Sequence, residues 1–361
     1  MSDLDVKEYV FRKGAAKRIP VSGTFELTSR CNLSCKMCYV HMSPQEQAKI
    51  GTELTAAQWI DLGRQAVDAG MIYLLLTGGE PLLRPDFEEI YTALINMGLM
   101  MTINTNATLI TPRVVELFKK YRPEKVNVTL YGMSQETYGD LCGHCGGYEK
   151  AVAGIHMLKD AGVRLNLNTT FTRRNVGDLD KIVDFAKENE IPIRMTGFIF
   201  PPVRNGHIGD ELYLSPEEMG RYSACFDKMT LTQEKIAGRK EFIRRCLQDL
   251  PGELESQECS ISSCMAGRGA FWVSWDGKLY PCGMLPAFAR DLRQESFADA
   301  WRQTHEAARE MRVPSECTAC GYQKVCPTCA AVSMSLTGAT DGLPEELCRR
   351  TKAYTQAFLE E

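Results

Sequence analysis

Both the fold and the chemistry of this 361-residue chain are indicated by one segment, Glu26-Leu-Thr-Ser-Arg-Cys31-Asn-Leu-Ser-Cys35-Lys-Met-Cys38-Tyr39. It places three thiols in one short loop, directly after a predicted strand at Thr24–Thr28. Three thiolates can hold a four-iron cluster and leave one iron open to a small molecule. The alternative is a zinc site, but structural zinc prefers four closed ligands, commonly from CxxC pairs. The spacing therefore favours an open iron–sulfur cluster.

The composition predicts a soluble, cytoplasmic protein whose cysteines are ligands. The chain is 44% hydrophobic and 24% charged, with a net charge of −4. Its basic pairs are scattered, so we expect no nucleic-acid and no membrane partner. The first twenty residues lack the apolar stretch of a signal peptide, and no run is long enough to span a membrane. In a reducing cytosol, the fifteen cysteines are better explained as metal or cluster ligands than as disulfides.

Outward from the cysteine loop, short β-rich runs alternate with helical patterns as far as Pro201. The predicted strands are Thr24–Thr28, Ile72–Thr77, Met100–Thr105, Lys125–Leu130, Arg164–Thr170 and Ile193–Phe200. The predicted helices are Thr55–Ala69, Asp86–Met97, Thr111–Lys119, Tyr148–Ala161 and Val176–Asn189. Units of this kind in series indicate an α/β protein with a parallel sheet, either doubly wound or curled into a partial barrel.

Local signals support the helix boundaries. Thr55 followed by Gln58 forms the pattern of a capping box, and Ser215 followed by Glu218 repeats it further along the chain. Gly70 and Gly98 each lie just past a predicted helix end, where a left-handed residue is preferred.

Polar and glycine-rich segments recur at one place in every unit, directly after the strand. They are Cys31–Cys38, Gly78–Pro81, Thr105–Thr108, Thr129–Gly132, Asn168–Thr172 and Pro201–Gly206. The carboxyl ends of parallel strands converge at one edge of the sheet, which is where such folds carry their active sites. We therefore expect these segments to form one composite site.

The cysteine loop resembles the signature loop of the radical S-adenosylmethionine (SAM) superfamily. Thr77-Gly78-Gly79-Glu80-Pro81, after the second strand, is similar to the GGEP motif of that family. The resemblance implies a partial (β/α)6 barrel in which Cys31, Cys35 and Cys38 hold a [4Fe-4S] cluster that binds SAM. Gly78, Gly79 and Glu80 would hold the amino end of SAM, since glycines permit close backbone approach and a carboxylate suits an ammonium. Reductive cleavage of SAM would give a 5′-deoxyadenosyl radical.

Further SAM contacts follow from the same resemblance. Thr129 would contact the ribose or carboxylate, Ile199 would pack near the adenine, and Asn168 is a third candidate. Asn104, Thr105 and Asn106 would face substrate. For the polar positions the alternative is an ordinary strand-end residue that satisfies loop backbone. Met37 stands where the family often has an aromatic residue.

A second set of cysteines fills the last hundred residues. Cys264-x12-Gly277-x4-Cys282 precedes Cys317-x2-Cys320-x5-Cys326-x2-Cys329 and then Cys348. Zinc ribbons are the alternative for paired CxxC motifs, but the array resembles the SPASM domain of radical SAM enzymes, which holds two auxiliary [4Fe-4S] clusters. That resemblance assigns Cys317, Cys320, Cys326 and Cys348 to the outer cluster. It assigns Cys264, Cys282, Cys329 and Cys259 to the inner one.

These patterns predict four regions of the chain. Residues 1–20 would form an N-terminal extension and residues 21–214 the radical SAM partial barrel. Residues 215–256 would be a bridging helical segment, and residues 257–361 the cysteine-rich SPASM domain, which needs its clusters to fold.

Two further cysteines lie on the expected active-site edge, in Cys142-Gly-His144-Cys145. We predict this segment to be a loop after the fourth strand. Either thiol would be a candidate to give a hydrogen atom to a substrate radical, and the alternative is a flexible loop with incidental thiols.

The resemblance to SPASM enzymes predicts a maturase that oxidatively modifies a ribosomally made peptide, by a crosslink or another C–H functionalisation. Gly283 stands where sulfatase-maturing members carry an Asp, which argues against that reaction. Only thirty residues precede Cys31, so we expect a separate recognition protein or direct binding of a short peptide. Flavodoxin or ferredoxin is the expected electron donor. The alternatives are a small-molecule or cofactor biosynthesis enzyme and a non-catalytic iron–sulfur or zinc scaffold.

Overall fold

The computed structural model describes residues 6–202, 208–248 and 264–360. Cys259, a predicted cluster ligand, lies outside the described residues. The chain divides into two compact units. The first comprises Met1–Asn168, Pro202–Ile208 and Met265–Glu310, and the second comprises Thr169–Pro201, Gly209–Cys264 and Met311–Glu361. The predicted region boundaries at residues 20, 214 and 256 stay predictions.

Strands and helices alternate through the first half of the chain. The strands are β1 Ser22–Glu26, β2 Tyr73–Thr77, β3 Met100–Thr105, β4 Lys125–Thr129, β5 Leu165–Thr170, β6 Ile193–Thr196, β7 Ala270–Val273, β8 Lys278–Tyr280 and β9 Arg290–Asp291. The helices up to residue 188 are α1 Val6–Ala16, α2 Pro44–Ile50, α3 Ala56–Asp68, α4 Phe87–Ile95, α5 Pro112–Lys120, α6 Gln135–Cys142, α7 Gly147–Asp160 and α8 Leu179–Glu188. The later helices are α9 Pro216–Thr230, α10 Gln233–Gln248, α11 Phe297–Glu310, α12 Ala330–Thr337 and α13 Glu345–Leu359.

The first unit is built on a predominantly parallel sheet. Its strands lie in the order β5-β4-β3-β2-β1-β7-β8-β9. The pairs from β5 to β7 are parallel, and β8 and β9 extend the sheet as an antiparallel hairpin. This confirms the predicted α/β class with a parallel sheet. The strand β7 is distant from β1 in sequence but pairs directly with it.

The two faces of this sheet differ in chemistry. Alternate residues such as Phe25, Leu76, Ile103 and Val128 are fully buried, as expected for the face that packs against helices. The opposite face carries polar residues that are partly accessible in β3 and β4. A sheet of this kind has one apolar face for the core and one polar face for ligands.

The second unit has its own apolar core. Ala224, Ile243, Tyr354 and Phe358 form one buried cluster contributed by α9, α10 and α13. Tyr354 Oη also donates to Asp227 Oδ2 at 2.7 Å, which fixes α13 against α9. Cys348 lies near the start of α13 and is thereby placed on a well-supported helix.

Most of the predicted elements are confirmed, some with the same bounds. The strand Met100–Thr105 is found as predicted, and the capping boxes at Thr55 and Ser215 both form. Gly70 and Gly98 take positive φ angles of +104° and +85° past their helices.

The differences are local. The predicted helix from residue 176 begins as a 3-10 turn, and β6 ends at residue 196 rather than 200. The sequence does not predict the helices α1, α2 and α6. As a result Cys142, which is predicted to lie in a loop, is the last residue of a helix. Among the described residues, no helix is long and apolar enough to cross a membrane.

Candidate active site

The cysteine loop starts where β1 ends and is tied by backbone hydrogen bonds to the segment after β2. Gly79 N donates to Thr28 O at 2.8 Å, and Glu80 N donates to Arg30 O at 2.9 Å. These bonds continue the parallel pairing of β1 with β2 beyond the strands themselves. The loop is therefore positioned by the sheet before any ligand binds.

Gly78 and Gly79 are required by this close approach of two backbones. A Cβ atom at Gly78 would lie 2.5 Å from Thr28 O, and one at Gly79 would lie 2.3 Å from Arg30 O. Neither position has room for a side chain, because the atoms it would meet are backbone. The glycines thus let the GGEP-like segment lie directly against the cysteine loop.

Nitrogen donors surround the sulfurs of the loop. Leu33 N donates to Cys31 Sγ at 3.3 Å, and His41 N donates to Cys38 Sγ at the same distance. Asn106 Nδ2 lies 3.7 Å from Cys31 Sγ and donates to it. Hydrogen bonds of this kind stabilise thiolates and adjust the reduction potential of a cluster that the thiolates bind.

The three sulfurs are also close enough to influence one another's charge. Burial raises the pKa of Cys31 to about 12 and that of Cys38 to about 11, and in both cases the neighbouring cysteine sulfurs add to the effect. A raised pKa favours the neutral thiol, but coordination to iron would favour the thiolate, because a coordinated thiol is deprotonated outright. Within the described residues no three acidic, histidine or cysteine groups converge as for a single metal ion. Three half-buried cysteines in one loop, two of which accept N–H hydrogen bonds, fit the three protein ligands of a cluster.

Glu80 joins the end of β2 to the end of β3. Its Oε1 accepts from Leu82 N at 3.1 Å and from Thr105 Oγ1 at 2.9 Å, and its Oε2 accepts from Asn106 N at 2.8 Å. Burial raises the pKa of this fully buried carboxyl to about 7, although the three donors favour the charged form. A ligand ammonium nearby would favour the carboxylate further.

Asn106 connects β3 to the cysteine loop through a closed ring of side chains. Its Nδ2 donates to Asn32 Oδ1 at 3.0 Å, and Asn32 Nδ2 donates to Thr108 Oγ1 at 2.8 Å. Thr108 Oγ1 completes the ring by donating to Asn106 Oδ1 at 2.6 Å. Asn106 and Thr105, predicted to face substrate, are thus engaged with the cysteine loop and with Glu80.

The buried Arg84 is bonded to the segment that leads into the cysteine loop. Arg84 Nη1 donates to Leu27 O at 2.8 Å, and its Nη2 forms an ion pair with Asp86 Oδ2 at 2.7 Å. Glu53 lies between Arg84 and Arg30, accepting from Arg84 Nη1 at 3.4 Å and from Arg30 Nη2 at 2.8 Å. The side chain of Arg84 is only 4% exposed, so these partners compensate a buried charge.

A polar row crosses the face of the sheet opposite its apolar core, and its members are linked by strand register or, between Thr77 and Asn104, by a side-chain hydrogen bond. They are Glu26, Thr77, Asn104, Asn127 and Asn166. Asn127 Nδ2 donates to Asn104 Oδ1 at 2.8 Å, and Trp272 Nε1 of β7 donates to Glu26 Oε2 at 3.0 Å. Asn104 and Asn127 are half-buried and can offer their amides to a ligand, whereas Glu26, Thr77 and Asn166 are buried.

The predicted SAM contacts Thr129 and Asn168 are register partners at the carboxyl ends of β4 and β5. Both are half-buried on the side of the polar row, one step beyond it. Ile199 is buried in the second unit. Their contacts with SAM stay predictions.

The two cysteines after β4 have different surroundings. Cys142 is the last residue of α6 and is fully buried beside Cys35, whereas Cys145 is exposed. Cys145 lies on an open pocket of about 810 Å³ whose lining includes three acidic residues. The other lining residues are Gln135, Glu136, Gly139, Asp140, Gly146 and Glu149.

The later cysteines include one group that the fold brings together. Burial raises the pKa of Cys317 to about 11, and nearby Cys326, Cys348 and Cys320 raise it further. These four are the predicted ligands of the outer auxiliary cluster. Of the predicted inner ligands, Cys329 precedes α12, Cys282 is half-buried and Cys264 is exposed.

Gly283, which follows Cys282, is closely packed. A Cβ atom at this position would lie 2.8 Å from the ring of Trp272, the residue that donates to Glu26. An Asp here would have to displace that ring. The packing gives a physical reason for the departure from the sulfatase-maturing pattern.

Comparison with known proteins agrees with both halves of this arrangement. Residues 25–186 match the family described as the Radical SAM superfamily, and residues 264–330 match the SPASM iron-sulfur cluster-binding domain. The chain is 32% identical to an AdoMet-dependent heme synthase of Methanosarcina barkeri, with 89% of this chain and 94% of that protein covered. The chain belongs to the radical SAM superfamily.

Other similar proteins are named for different activities. A PqqA peptide cyclase of Rhizobium meliloti is 26% identical over 94% of this chain and 90% of that protein. Among solved structures, Streptococcus suis SuiB bound to S-adenosylmethionine has a TM-score of 0.68 and 17% identity, covering 95% of this chain and 79% of that chain. The structural likeness supports the radical SAM fold.

Membership of the radical SAM superfamily confirms the resemblance that the cysteine loop and the GGEP-like segment indicated. Sequence reasoning missed the surroundings of the loop: the Asn106 ring, the Arg84 support and the contact of Cys142 with Cys35. The α6 helix had a signal, since Ser134 caps its start and Gly143 ends it with a φ of +65°. No sequence signal indicated the role of Arg84, because its partners Leu27 and Glu53 are distant from it in sequence.

Proposed function

We propose that this radical SAM/SPASM enzyme acts on a small molecule of heme synthesis, removing carboxylate groups oxidatively from a propionate-bearing porphyrin. The observation that carries the proposal is the 32% identity to an AdoMet-dependent heme synthase with nearly the whole of both chains covered. Similarity over both the barrel and the cysteine-rich region makes a shared reaction the simplest explanation.

The chemistry of this conversion fits a chain with two cluster regions. Turning a propionate side chain into a vinyl group releases CO2 and requires removal of one hydrogen atom and one electron. When bound to the cluster of Cys31, Cys35 and Cys38, SAM supplies hydrogen-atom abstraction of this kind. The predicted auxiliary clusters, two by resemblance, would suit the role of electron acceptor.

The accessible face of the sheet supports a carboxylate-bearing substrate. Asn104 and Asn127 present amide groups there, and Lys125 lies on the same half-buried face of β4 as Asn127. Amide and ammonium groups are good donors to carboxylates, and a charged donor is the stronger of the two. Lys125 is therefore our candidate for recognising a propionate.

Peptide maturation is the second candidate, supported by the 26% identity to a PqqA peptide cyclase over most of both chains. In that case the partners would be a peptide and a separate recognition protein. With either substrate, flavodoxin or ferredoxin would supply electrons, and a cytoplasmic location would keep the ligand cysteines reduced.

The two candidates are separated by a substrate assay on the anaerobically reconstituted enzyme. Iron coproporphyrin III is added with SAM and a reductant, and products are identified by mass spectrometry. We expect 5′-deoxyadenosine and a porphyrin that is lighter by the loss of CO2 and hydrogen. Formation of 5′-deoxyadenosine with an unchanged porphyrin, but with a modified peptide from a neighbouring reading frame, would favour the second candidate.

A binding experiment tests the role of Lys125 without turnover. Porphyrin affinity is measured from the shift of its absorption band for the wild type and for Lys125→Met. We expect about a tenfold weaker affinity in the variant, the effect of losing one charge-assisted hydrogen bond. Lys119→Met is the matched control, because Lys119 is paired with Glu116 on the exposed face of α5. Equal affinities for all three proteins would remove Lys125 from the proposed site.

A further inference from the structure

The side chain of Glu53, which lies between α2 and α3, accepts hydrogen bonds from four other side chains. Its Oε1 accepts from Thr28 Oγ1, from Arg30 Nε at 3.0 Å and from Gln47 Nε2 at 2.8 Å. Its Oε2 accepts from Arg30 Nη2 at 2.8 Å and from Arg84 Nη1 at 3.4 Å. These donors come from segments before and after the cysteine loop, so one carboxylate ties both flanks of the loop together.

Two of these donors also hold the GGEP-like segment through their backbone carbonyls. Thr28 O accepts from Gly79 N at 2.8 Å, and Arg30 O accepts from Glu80 N at 2.9 Å. Arg30 N in turn donates to Thr28 Oγ1 at 3.1 Å. The side chains of Thr28 and Arg30 are therefore fixed by Glu53, while their carbonyls bind the segment predicted to hold the amino end of SAM.

The bonds to Glu53 are of the stronger, charge-assisted kind. Burial raises the pKa of Glu53, but the hydrogen bonds from Arg30, Thr28 and Gln47 outweigh it and hold the pKa below its ordinary value. The guanidinium of Arg30 meets both carboxylate oxygens, a two-point contact that fixes orientation as well as distance. The side chain of Glu53 is only 16% exposed, so salt screens this pair less than a surface pair.

We propose that Glu53 is a positioning residue of the SAM site: by holding Thr28 and Arg30, it sets the spacing between the cysteine loop and the GGEP-like segment. These two segments are the predicted walls of that site, one carrying the cluster ligands and the other the groups for the amino end of SAM. Glu53 itself is not among the predicted ligands of the cluster or of SAM, and it acts through the residues that it holds.

The spacing of the two walls should control the affinity for SAM. A ligand that must meet both walls at once binds only the fraction of molecules in which they are correctly spaced, and its dissociation constant rises as that fraction falls. At saturating SAM, the ligand itself selects the correct spacing. Loss of Glu53 should therefore change the affinity and the KM for SAM more than kcat.

The test compares the reconstituted full-length wild type with Glu53→Gln, which keeps the size of the side chain and removes its charge. The dissociation constant of SAM is read from the change that SAM causes in the EPR signal of the reduced cluster, at matched iron content. We expect about a tenfold weaker affinity in the variant, with kcat for 5′-deoxyadenosine formation within about twofold of the wild type at saturating SAM. Glu88→Gln is the matched control, because it makes the same change in an exposed ion pair, and it should bind SAM like the wild type.

A double-mutant cycle tests whether Glu53 acts through Arg30. Arg30→Met alone should weaken SAM binding to a similar extent, because it removes the two-point contact from the other side. Combining it with Glu53→Gln should add little, since the same interaction cannot be lost twice. Two independent roles would instead multiply to a loss of about a hundredfold.

Three results would overturn the proposal. One is a SAM affinity of Glu53→Gln within about twofold of the wild type at full iron content. Another is a lower kcat with unchanged affinity, and the third is a multiplied loss in the double variant. If Glu53→Gln fails to hold iron, Thr28→Val decides, because it removes a single hydroxyl of the same network: weaker SAM binding supports the proposal, and wild-type binding contradicts it.

Discussion

The chain holds its cysteines in two structurally different settings. The loop of Cys31, Cys35 and Cys38 is bonded to the ends of neighbouring strands and to the end of a helix. Residues 311–329, which carry three of the outer ligands, form turns and one short 3-10 helix, with local hydrogen bonds such as Cys326 N to Tyr322 O at 2.8 Å. The first setting is fixed by the sheet, whereas the second is fixed mainly by short-range turns.

The fourth outer ligand shows what supports the turn-rich segment. Cys348 belongs to α13, which is packed against α9 in the core of the second unit. Thr351, one turn later, donates to Cys326 Sγ at 3.5 Å and to Leu347 O at 2.8 Å. A cluster bound by all four sulfurs would join the turns to this helix. We therefore expect the barrel loop to be organised without its cluster and the cysteine-rich segment to depend on cluster binding.

The largest expected effect comes from removing one predicted ligand from each cysteine setting. Cys35→Ala should lose about four irons per chain and all SAM-dependent 5′-deoxyadenosine. Its backbone should remain folded, since the bonds that hold the loop do not involve the sulfur. Cys326→Ala should also lose about four irons, and in addition its residues 311–360 should become more sensitive to protease. Iron analysis, a 5′-deoxyadenosine assay and limited proteolysis measure these outcomes.

The control for this pair is Cys225→Ala, because Cys225 is exposed on α9 and is outside both cysteine groups. It should match the wild type in iron and in protease resistance. If Cys326→Ala resists protease as the wild type does, the turn-rich segment holds itself without a cluster and the comparison is wrong.

The second prediction concerns the support behind the barrel loop. Arg84→Met should lower the free energy of unfolding by about 3 kcal/mol, because it removes the charged donor of the buried Leu27 and Leu54 carbonyls and one of the two arginines that pair with Glu53. Chemical denaturation of the cluster-free protein measures this effect. The loop should then bind iron less completely, although every cysteine is present.

Arg113→Met is the matched control for Arg84→Met. Arg113 pairs with Glu88 at 2.7 Å, but its side chain is 84% exposed, so its loss should cost less than about 1 kcal/mol. Equal costs for the two variants would show that the buried network does not hold the loop.

Much of the fold was predictable because it follows from local rules. Alternating strands and helices gave the parallel sheet, and capping residues such as Thr55 located helix ends within one residue. The cysteine loop and the GGEP-like segment were recognisable because their spacing alone is specific. Cys31, Cys35 and Cys38 could therefore be named without a structure.

What surrounds the sulfurs could not be predicted, because it depends on contacts between distant segments. Cys142 lies more than one hundred positions from Cys35 in sequence, and only the length and direction of α6 bring the two sulfurs together. In the same way, Trp272 reaches Glu26 because β7 pairs with β1. Periodicity in the sequence carries no information about such pairings between elements.

The smallest expected effect is a dependence on pH that belongs to the barrel alone. The buried Glu80 has its pKa raised from 4.5 to about 7 by burial, so the folded state binds this proton more tightly than the unfolded chain. Its stabilising contribution is complete below about pH 4.5 and is lost as the pH rises through about 7. Between pH 5 and 8, the free energy of unfolding should therefore fall by about 2 kcal/mol more in the cluster-free wild type than in Glu80→Gln.

The counterpart in the cysteine-rich segment is Glu316→Gln, measured by the same chemical denaturation at both pH values. Glu316 is exposed, and a backbone hydrogen bond and the Ser315 hydroxyl lower its pKa, so it stays charged across this range. Its removal should leave the pH dependence unchanged. Glu80 joins the ends of β2 and β3 that hold the loop of Cys31. A pH dependence of stability that Glu80→Gln removes would therefore come from the protonation of a residue that supports this loop. The same pH dependence in Glu80→Gln and the wild type would mean that the three donors from Leu82, Thr105 and Asn106 keep this carboxylate charged despite its burial.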